Sequence, residues 1–156
     1  MTESAVLTRF VTASDEDAWK ALYSGYREFY RLERDDRVVD RVWGWILRGE
    51  HSLRGLVATG DDDVPIALAD IRTFARPSSG TTGLYLDDLF TSPAARGRGA
   101  GSALLARIAD LAGDEGLSVV RWITDRENAP ARRLYDRHAT ATRWVTYDLP
   151  PSALTS

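Results

Sequence analysis

Apolar and polar positions change rhythm several times along this chain, and the changes mark its elements. Residues 6–12 form a short β-prone run, after which Ser14-Asp15 supplies N-cap chemistry with Asp17 in the first turn. Ala18, Leu22, Tyr26, Phe29 and Tyr30 then recur at helical spacing, predicting a helix to about residue 30. A charged link over 31–37 leads to a second amphipathic pattern in Val39, Val42, Trp43, Ile46 and Leu47, stopped near Gly49.

The rhythm then shortens. Residues 53–59 read as a strand, Gly60-Asp61-Asp62-Asp63 as a turn, and 64–74 as a second strand. A loop over 76–82 and a third strand over 83–91 follow. After a loop over 92–98, Leu104, Leu105, Ile108, Leu111 and Ala112 mark one face of a strong helix over about 99–115. A strand over 117–124, a short helix over 130–137 and a closing strand over 143–149 complete the order β-α-α-β-β-β-α-β-α-β. Antiparallel hairpins joined to a later β-α-β crossover predict an α/β fold, a mixed sheet with helices on both faces. With 156 residues, no repeat and no dividing linker, a single domain over 1–150 is expected, with a frayed tail over 151–156.

Composition removes whole classes of chemistry. No Cys is present, which excludes disulfides, thiolate zinc sites and an acyl-cysteine intermediate. Two histidines, His51 and His138, are too few for a His-built metal site, so no metal is expected. Net charge is −3 without a Lys/Arg block, which argues against a nucleic-acid partner. No stretch approaches the roughly 18 apolar residues needed to cross a bilayer. The Met1-Thr2-Glu3-Ser4 start lacks a basic segment followed by an apolar run, so a cytoplasmic location without a membrane partner is expected.

The sharpest local signal is Arg96-Gly97-Arg98-Gly99-Ala100-Gly101-Ser102, between a strand and a helix. Glycines allow positive φ and close approach of the backbone to an anion. Free N–H groups at the helix start, with the dipole behind them, favour a pyrophosphate, and Arg96 and Arg98 add charge. A Walker loop fails because Gly101 stands where its Lys belongs, and the dinucleotide fingerprint fails because Ser102 stands where its third Gly belongs. A Gly-rich turn that only joins strand to helix is the bland alternative.

Leu84-Tyr85-Leu86-Asp87-Asp88-Leu89-Phe90-Thr91-Ser92-Pro93, followed by Arg96-x-x-Gly99-x-Gly101, resembles motif A of the GNAT acetyltransferases. The resemblance implies a GNAT fold with a splayed central strand pair and acetyl-CoA as co-substrate. Its pyrophosphate would be held by the backbone of Arg96, Gly97, Arg98, Gly99, Ala100, Gly101 and Ser102. It further implies a bulge that exposes the backbone of Leu89, Phe90 and Thr91 to the pantetheine arm. Asn128-Ala129-Pro130-Ala131-Arg132-Arg133-Leu134-Tyr135 is similar to motif B of the same family, which implies that Asn128 contacts the cofactor arm and Tyr135 lies near its sulfur. Seven residues is close to two helical turns, so both face one side of a short helix. An ordinary N-cap for Asn128 and a core position for Tyr135 are the alternatives. The family's usual Gly-Phe pair after this Tyr is replaced by Asp136-Arg137-His138-Ala139-Thr140.

Chemistry follows from these assignments. Acyl transfer needs a neutral amine, donors for the developing oxyanion and a proton for the leaving thiolate. Without a Cys, direct attack in a ternary complex is expected. A backbone N–H near Leu89 or Phe90 would polarise the thioester, and Tyr135 would be the acid. Asp87 and Asp88 are the candidate bases; strand alternation sends them to opposite faces, so one meets a given pocket. Tyr26 and Tyr30 on the first helix are candidate walls for a cationic amine, with Trp19 and Tyr23 the more core-like members of that row. Tyr85-Leu86-Asp87-Asp88 is similar to a run in spermidine/spermine acetyltransferases. The stretch from Arg9-Phe10-Val11-Thr12 through the aromatic first helix, with Trp122-x-Thr124-Asp125-x-x-Asn128, resembles fungal polyamine and histone acetyltransferases, a likeness that spans nearly the whole chain. That likeness implies a small cationic or amino-acid-like amine and a homodimer made through residues 143–149. A protein lysine or N-terminus as acceptor, and a non-catalytic acyl-CoA sensor, remain alternatives.

Overall fold

The computed structural model describes residues 5–153. The Met1-Thr2-Glu3-Ser4 start, and the last part of the expected tail, lie outside the described residues. Strands β1 (Leu7–Phe10), β2 (Leu53–Thr59), β3 (Pro65–Arg76) and β4 (Thr81–Thr91) run antiparallel in chain order, and β5 (Val120–Arg121) joins β4 in parallel. β2 along nearly all its length and β3 over its first half, to Ile71, are buried, as expected where both faces of a sheet are covered.

Helix α3 (Ala100–Asp114) covers one face. Its Leu104, Leu105 and Ile108 pack on Leu56, Ala58, Ala67, Ala69, Ile71, Leu84 and Leu86, where the alanines leave room for the helix to approach. Helices α1 (Glu16–Phe29) and α2 (Asp36–Arg48) cover the other, burying Trp19, Leu22, Val42, Trp43 and Ile46 against Val57, Leu68 and Phe90. Gly25 lets α1 lie directly on Phe90, since an added Cβ would come within 3.0 Å of that ring. Asp35 caps α2 by accepting from the Arg37 N–H at 3.0 Å, and Gly49 ends it at φ 64°. Helix α4 (Ala129–His138) packs beside α3.

The entry to α1 differs from the expected cap. Asp15 does not cap α1 with its side chain but reaches back to accept the Thr12 N–H at 2.8 Å. The same carboxylate receives both terminal nitrogens of Arg9, at 2.7 and 2.9 Å, while Arg9 Nε donates to Asp63 at 3.0 Å. One guanidinium therefore ties β1, the start of α1 and the β2–β3 turn.

Three strand expectations change. The loop over 76–82 tightens to a turn at 77–80, because β3 and β4 continue pairing out to Arg76 and Thr81. The expected strand over 117–124 shrinks to Val120–Arg121, because the ladder with β4 is confined to Leu84 and Tyr85, with only the Ser118 N–H reaching Thr82 before it and no pairing after it. The closing strand over 143–149 does not form. Its alternation is present, but among the described residues no strand pairs with it, and Trp144, Val145, Tyr147 and Leu149 are 70–93% exposed.

The irregularity of β4 also sits earlier than expected. Asp70 of β3 pairs with Asp88 while Ile71 pairs with Leu86, so Asp87 is the extra, bulged residue. Leu89, Phe90 and Thr91 remain paired with β3; their free edge is the one turned away from it, towards the β5 side.

The Arg9 contacts hold the Asp15 carboxyl below the usual carboxylate range, against the opposing effect of burial. Because the folded value is depressed, this stabilisation is present above the unfolded value of about 3.9 and is lost as pH falls below it. Asp15→Asn should cost about 3 kcal/mol at neutral pH, and the gap to the unsubstituted protein should close in acid, as read by denaturant unfolding at several pH values.

Candidate active site

The parting of β4 and β5 opens a cleft between their C-terminal ends. After Tyr85 and Arg121 the two strands share no further pairing. Between them lies a cavity of about 390 Å³ lined by Leu86, Asp87 and Leu89 of β4 and by Trp122, Ile123, Thr124 and Asp125 beyond β5. Tyr26 and Tyr30 of α1 and Tyr135 of α4 close it. The Thr124 hydroxyl is buried without a hydrogen-bond partner.

Tyr135 stands edge-on to Trp122 with ring centroids 5.3 Å apart. Burial, with a smaller effect of Tyr30, pushes its hydroxyl up to about 12, so it holds its proton at neutral pH. Tyr26 and Tyr30 lie 4.9 Å apart in a ladder that runs inward through Tyr23 to Trp19. Trp19 and Tyr23 are core residues, whereas Tyr26 and Tyr30 reach the cavity.

The two adjacent acids have different surroundings. Asp87 lines the cavity and accepts from Arg72 Nε at 2.9 Å. Burial raises its carboxyl and Arg72 opposes that rise. Asp88 is turned instead to the hydroxyls of Tyr23 and Tyr26, behind the cavity wall. Burial, then the Asp88 charge, push both of these tyrosines up.

At the mouth of the cleft, Gly97 and Gly99 adopt φ of 83° and 81°, with open space where a Cβ would stand. The Ala103 N–H closes on Gly99 at 3.0 Å, so the N–H groups of Ala100, Gly101 and Ser102 point out of the helix start. This backbone fits a pyrophosphate: a donor-rich, uncrowded turn backed by a 15-residue helix. Gly101 has a different duty, since an added Cβ would meet Leu134 of α4 at 2.9 Å. Arg96 stacks over Phe29 and Phe90 at 5.7 and 5.9 Å, and Arg98 lies against Gly60 of the β2–β3 turn. The Ser102 hydroxyl meets His138 Nε2 at 3.1 Å, which ties α3 to the end of α4.

Asn128 caps α4, accepting from the Ala131 N–H at 3.3 Å, and its side chain also meets the Tyr30 hydroxyl. It thereby joins α4 to the tyrosine wall. The sequence reading missed Asp70, Arg72 and, of the cavity lining, Leu86, Trp122, Ile123, Thr124 and Asp125 as site residues. Asp70 left one signal: a carboxylate in the apolar run Ile66-Ala67-Leu68-Ala69-Asp70-Ile71. Among the described residues, no group of acids and histidines is placed to hold a metal ion, and no helix is long and apolar enough to cross a membrane.

This geometry has close counterparts. The sequence profile of the acetyltransferase (GNAT) family matches residues 19–139. A D-amino-acid N-acetyltransferase, HPA3, of Saccharomyces cerevisiae is 26% identical over 151 residues, covering 94% of this chain and 92% of that protein. An uncharacterized N-acetyltransferase, YhfO, of Bacillus subtilis is 32% identical over 130 residues, covering 83% and 86%. Among solved structures, an aminoglycoside N-acetyltransferase in complex with CoA superposes with a TM-score of 0.78 at 19% identity, covering 95% of this chain and 97% of that one. GNAT acetyltransferases use acetyl-CoA, and the glycine turn and splayed strands found here are where such a co-substrate fits. The chain belongs to the GNAT family and is an N-acetyltransferase.

Proposed function

We propose that this enzyme acetylates the primary amine of a small cationic or amino-acid-like molecule by direct attack in a ternary complex. The observation that carries the reading is the cavity itself. It sets Tyr135, Asp87 and the tyrosine wall around the free edge of β4, in a space of about 390 Å³, suited to a small molecule rather than a folded protein surface. The activities of relatives agree, since one is named for D-amino acids and another for aminoglycosides.

In this reading the backbone from Gly97 to Ser102 holds the pyrophosphate, and the edge at Leu89, Phe90 and Thr91 takes the pantetheine arm. Tyr26 and Tyr30 receive the cationic amine, and Asp87 meets it at the rim. The amine attacks once neutral, with its proton passed to Asp87 or, through the Tyr26 hydroxyl, to Asp88. A backbone N–H near Leu89 or Phe90 steadies the oxyanion, and Tyr135 gives its proton to the thiolate. With no Cys in the chain, no acyl-cysteine carries the acetyl group.

A homodimer belongs to the same proposal. The exposed Trp144, Val145, Tyr147 and Leu149 keep the alternation of a strand, beside a groove of about 910 Å³ formed with β5 and α4. The same segment of a second copy would bury them.

Thiol release from acetyl-CoA, measured across polyamines, diamines, D- and L-amino acids and a histone-tail peptide, tests the central reading. Release with one small-amine class is expected; release with the peptide alone would overturn it. Tyr135→Phe should lower kcat by about 10²-fold with little change in acetyl-CoA affinity. Gly99→Val forces a β-branched residue to positive φ beside the pyrophosphate and should weaken acetyl-CoA binding at least tenfold by calorimetry, with a stability loss of about 1–2 kcal/mol. Removal of residues 142–156 should leave a monomer by sedimentation.

A further inference from the structure

Asp70 occupies the middle of β3, opposite Asp88 and beside the Asp87 bulge. It is fully buried, and neither carboxyl oxygen makes a hydrogen bond. Its surroundings come from three elements. Helix α1 contributes Trp19, whose indole N–H is likewise unpartnered, and the Tyr23 and Tyr26 hydroxyls, with Arg27 acting on Tyr23 from the same helix. Strand β4 contributes Asp88 and, across the bulge, Asp87; Asp87 is paired with Arg72 of β3. Trp19 and Asp88 are the polar groups nearest to Asp70, close enough to act on its charge though not in hydrogen-bonding geometry. Among the described residues, no cation is paired with Asp70.

An ionised carboxylate at such a place is strongly disfavoured, and two facing carboxylates oppose each other's ionisation. Leu68, two residues earlier on the same strand and buried against α1 and α2, is aliphatic, so packing on this face does not call for an acid. Burial, and after it the charge of Asp88, push the Asp70 carboxyl well above the usual carboxylate range.

We propose that Asp70 is a positioning residue that keeps its proton and offers it to Asp88, so that the pair carries a single negative charge directed through Tyr26 to the amine pocket. The proposal rests on the acceptor pocket described above and deepens it. With Asp70 neutral, a small turn of its side chain brings its O–H to Asp88 beside the Tyr23 and Tyr26 hydroxyls, so that three donors surround one carboxylate. Tyr26 is then held as a donor to Asp88, and its oxygen lone pairs are left for the N–H of the substrate. Trp19 and Tyr23 seal the pair from water. The pocket thus recognises a cation with one well-placed charge instead of two repelling ones.

Infrared spectroscopy of the substrate-free protein tests this without relying on acetyl transfer. The unsubstituted protein should show the carbonyl band of a protonated carboxylic acid at about pH 7, where ordinary carboxyls are ionised. Asp70→Asn should remove that band. Asp88→Asn should keep it but move its disappearance to lower pH, because the neighbouring charge is gone; this variant decides the matter if Asp70→Asn does not fold. Stability supplies the sign. A raised folded value favours the folded state in acid, and that contribution is lost as pH rises from the unfolded value of about 3.9. The Tm of the unsubstituted protein should therefore fall steadily relative to Asp70→Asn between about pH 5 and pH 8. In the pH profile of kcat/KM, Asp70→Asn should lose an alkaline inflection. No acid band at neutral pH, a band unchanged in Asp70→Asn, a titration unmoved by Asp88→Asn, or an Asp70→Asn variant altered only in stability would each overturn the proposal. Absence of turnover with every amine would instead count against the proposed function and leave the infrared result standing.

Discussion

The site depends on two strands that begin side by side and then separate. β4 and β5 pair only at Leu84 and Tyr85, opposite Val120 and Arg121. One extra residue, Asp87, then enters β4, which shifts its register against β3. A bulge bends and twists its strand, and past this one the neighbouring chain at Trp122 turns to pack on Tyr135 instead of continuing the ladder. Unpaired backbone in a sheet interior is costly unless something satisfies it. The free edge of β4 thus invites an extended ligand arm, and the glycine turn at the end of β4 invites the anion that such an arm carries.

Everything else braces this opening. Helix α3 holds one face of β4 through Leu104 and Ile108 and presents its N-terminus at the mouth. Helix α1 lies on the other face, close enough that Gly25 is needed above Phe90, and brings Tyr26 and Tyr30 to the cavity. Arg96 stacks on Phe29 and Phe90, linking the glycine turn to helix α1, which carries the tyrosine wall. Asn128 links α4 to Tyr30, and His138 links its far end to Ser102. The glycine turn and the tyrosine wall are therefore joined through packed side chains, so a change on one side is felt on the other.

What could be read from the sequence was the chemistry that is local along the chain. Glycines at positive φ, a helix start after a strand and a seven-residue spacing on a helix are all properties of adjacent residues, and Gly97 and Gly99 do take positive φ while Tyr135 reaches the cavity from α4. What could not be read depends on residues far apart. Opposite faces for Asp87 and Asp88 follow from strict alternation, but the assignment of Asp87 to the cavity and Asp88 to the tyrosines depends on a bulge defined against β3. Asp70 becomes significant only when Asp88 is placed opposite it. The apolar alternation over 143–149 is a strand pattern without a partner in this chain, and sequence alone gives propensity, not pairing. Asn128 is a helix cap, and its contact with Tyr30, which sequence spacing does not reveal, comes from a residue far along the chain.

The most direct test of this account is a crystal structure of the enzyme with CoA. The account predicts the pyrophosphate on the N–H groups of the turn from Gly97 to Ser102, the pantetheine arm along Leu89, Phe90 and Thr91 between the parted strands, and the sulfur beside Tyr135. CoA bound outside the β4–β5 cleft, or a cleft closed by continued pairing beyond Tyr85 and Arg121, would contradict it.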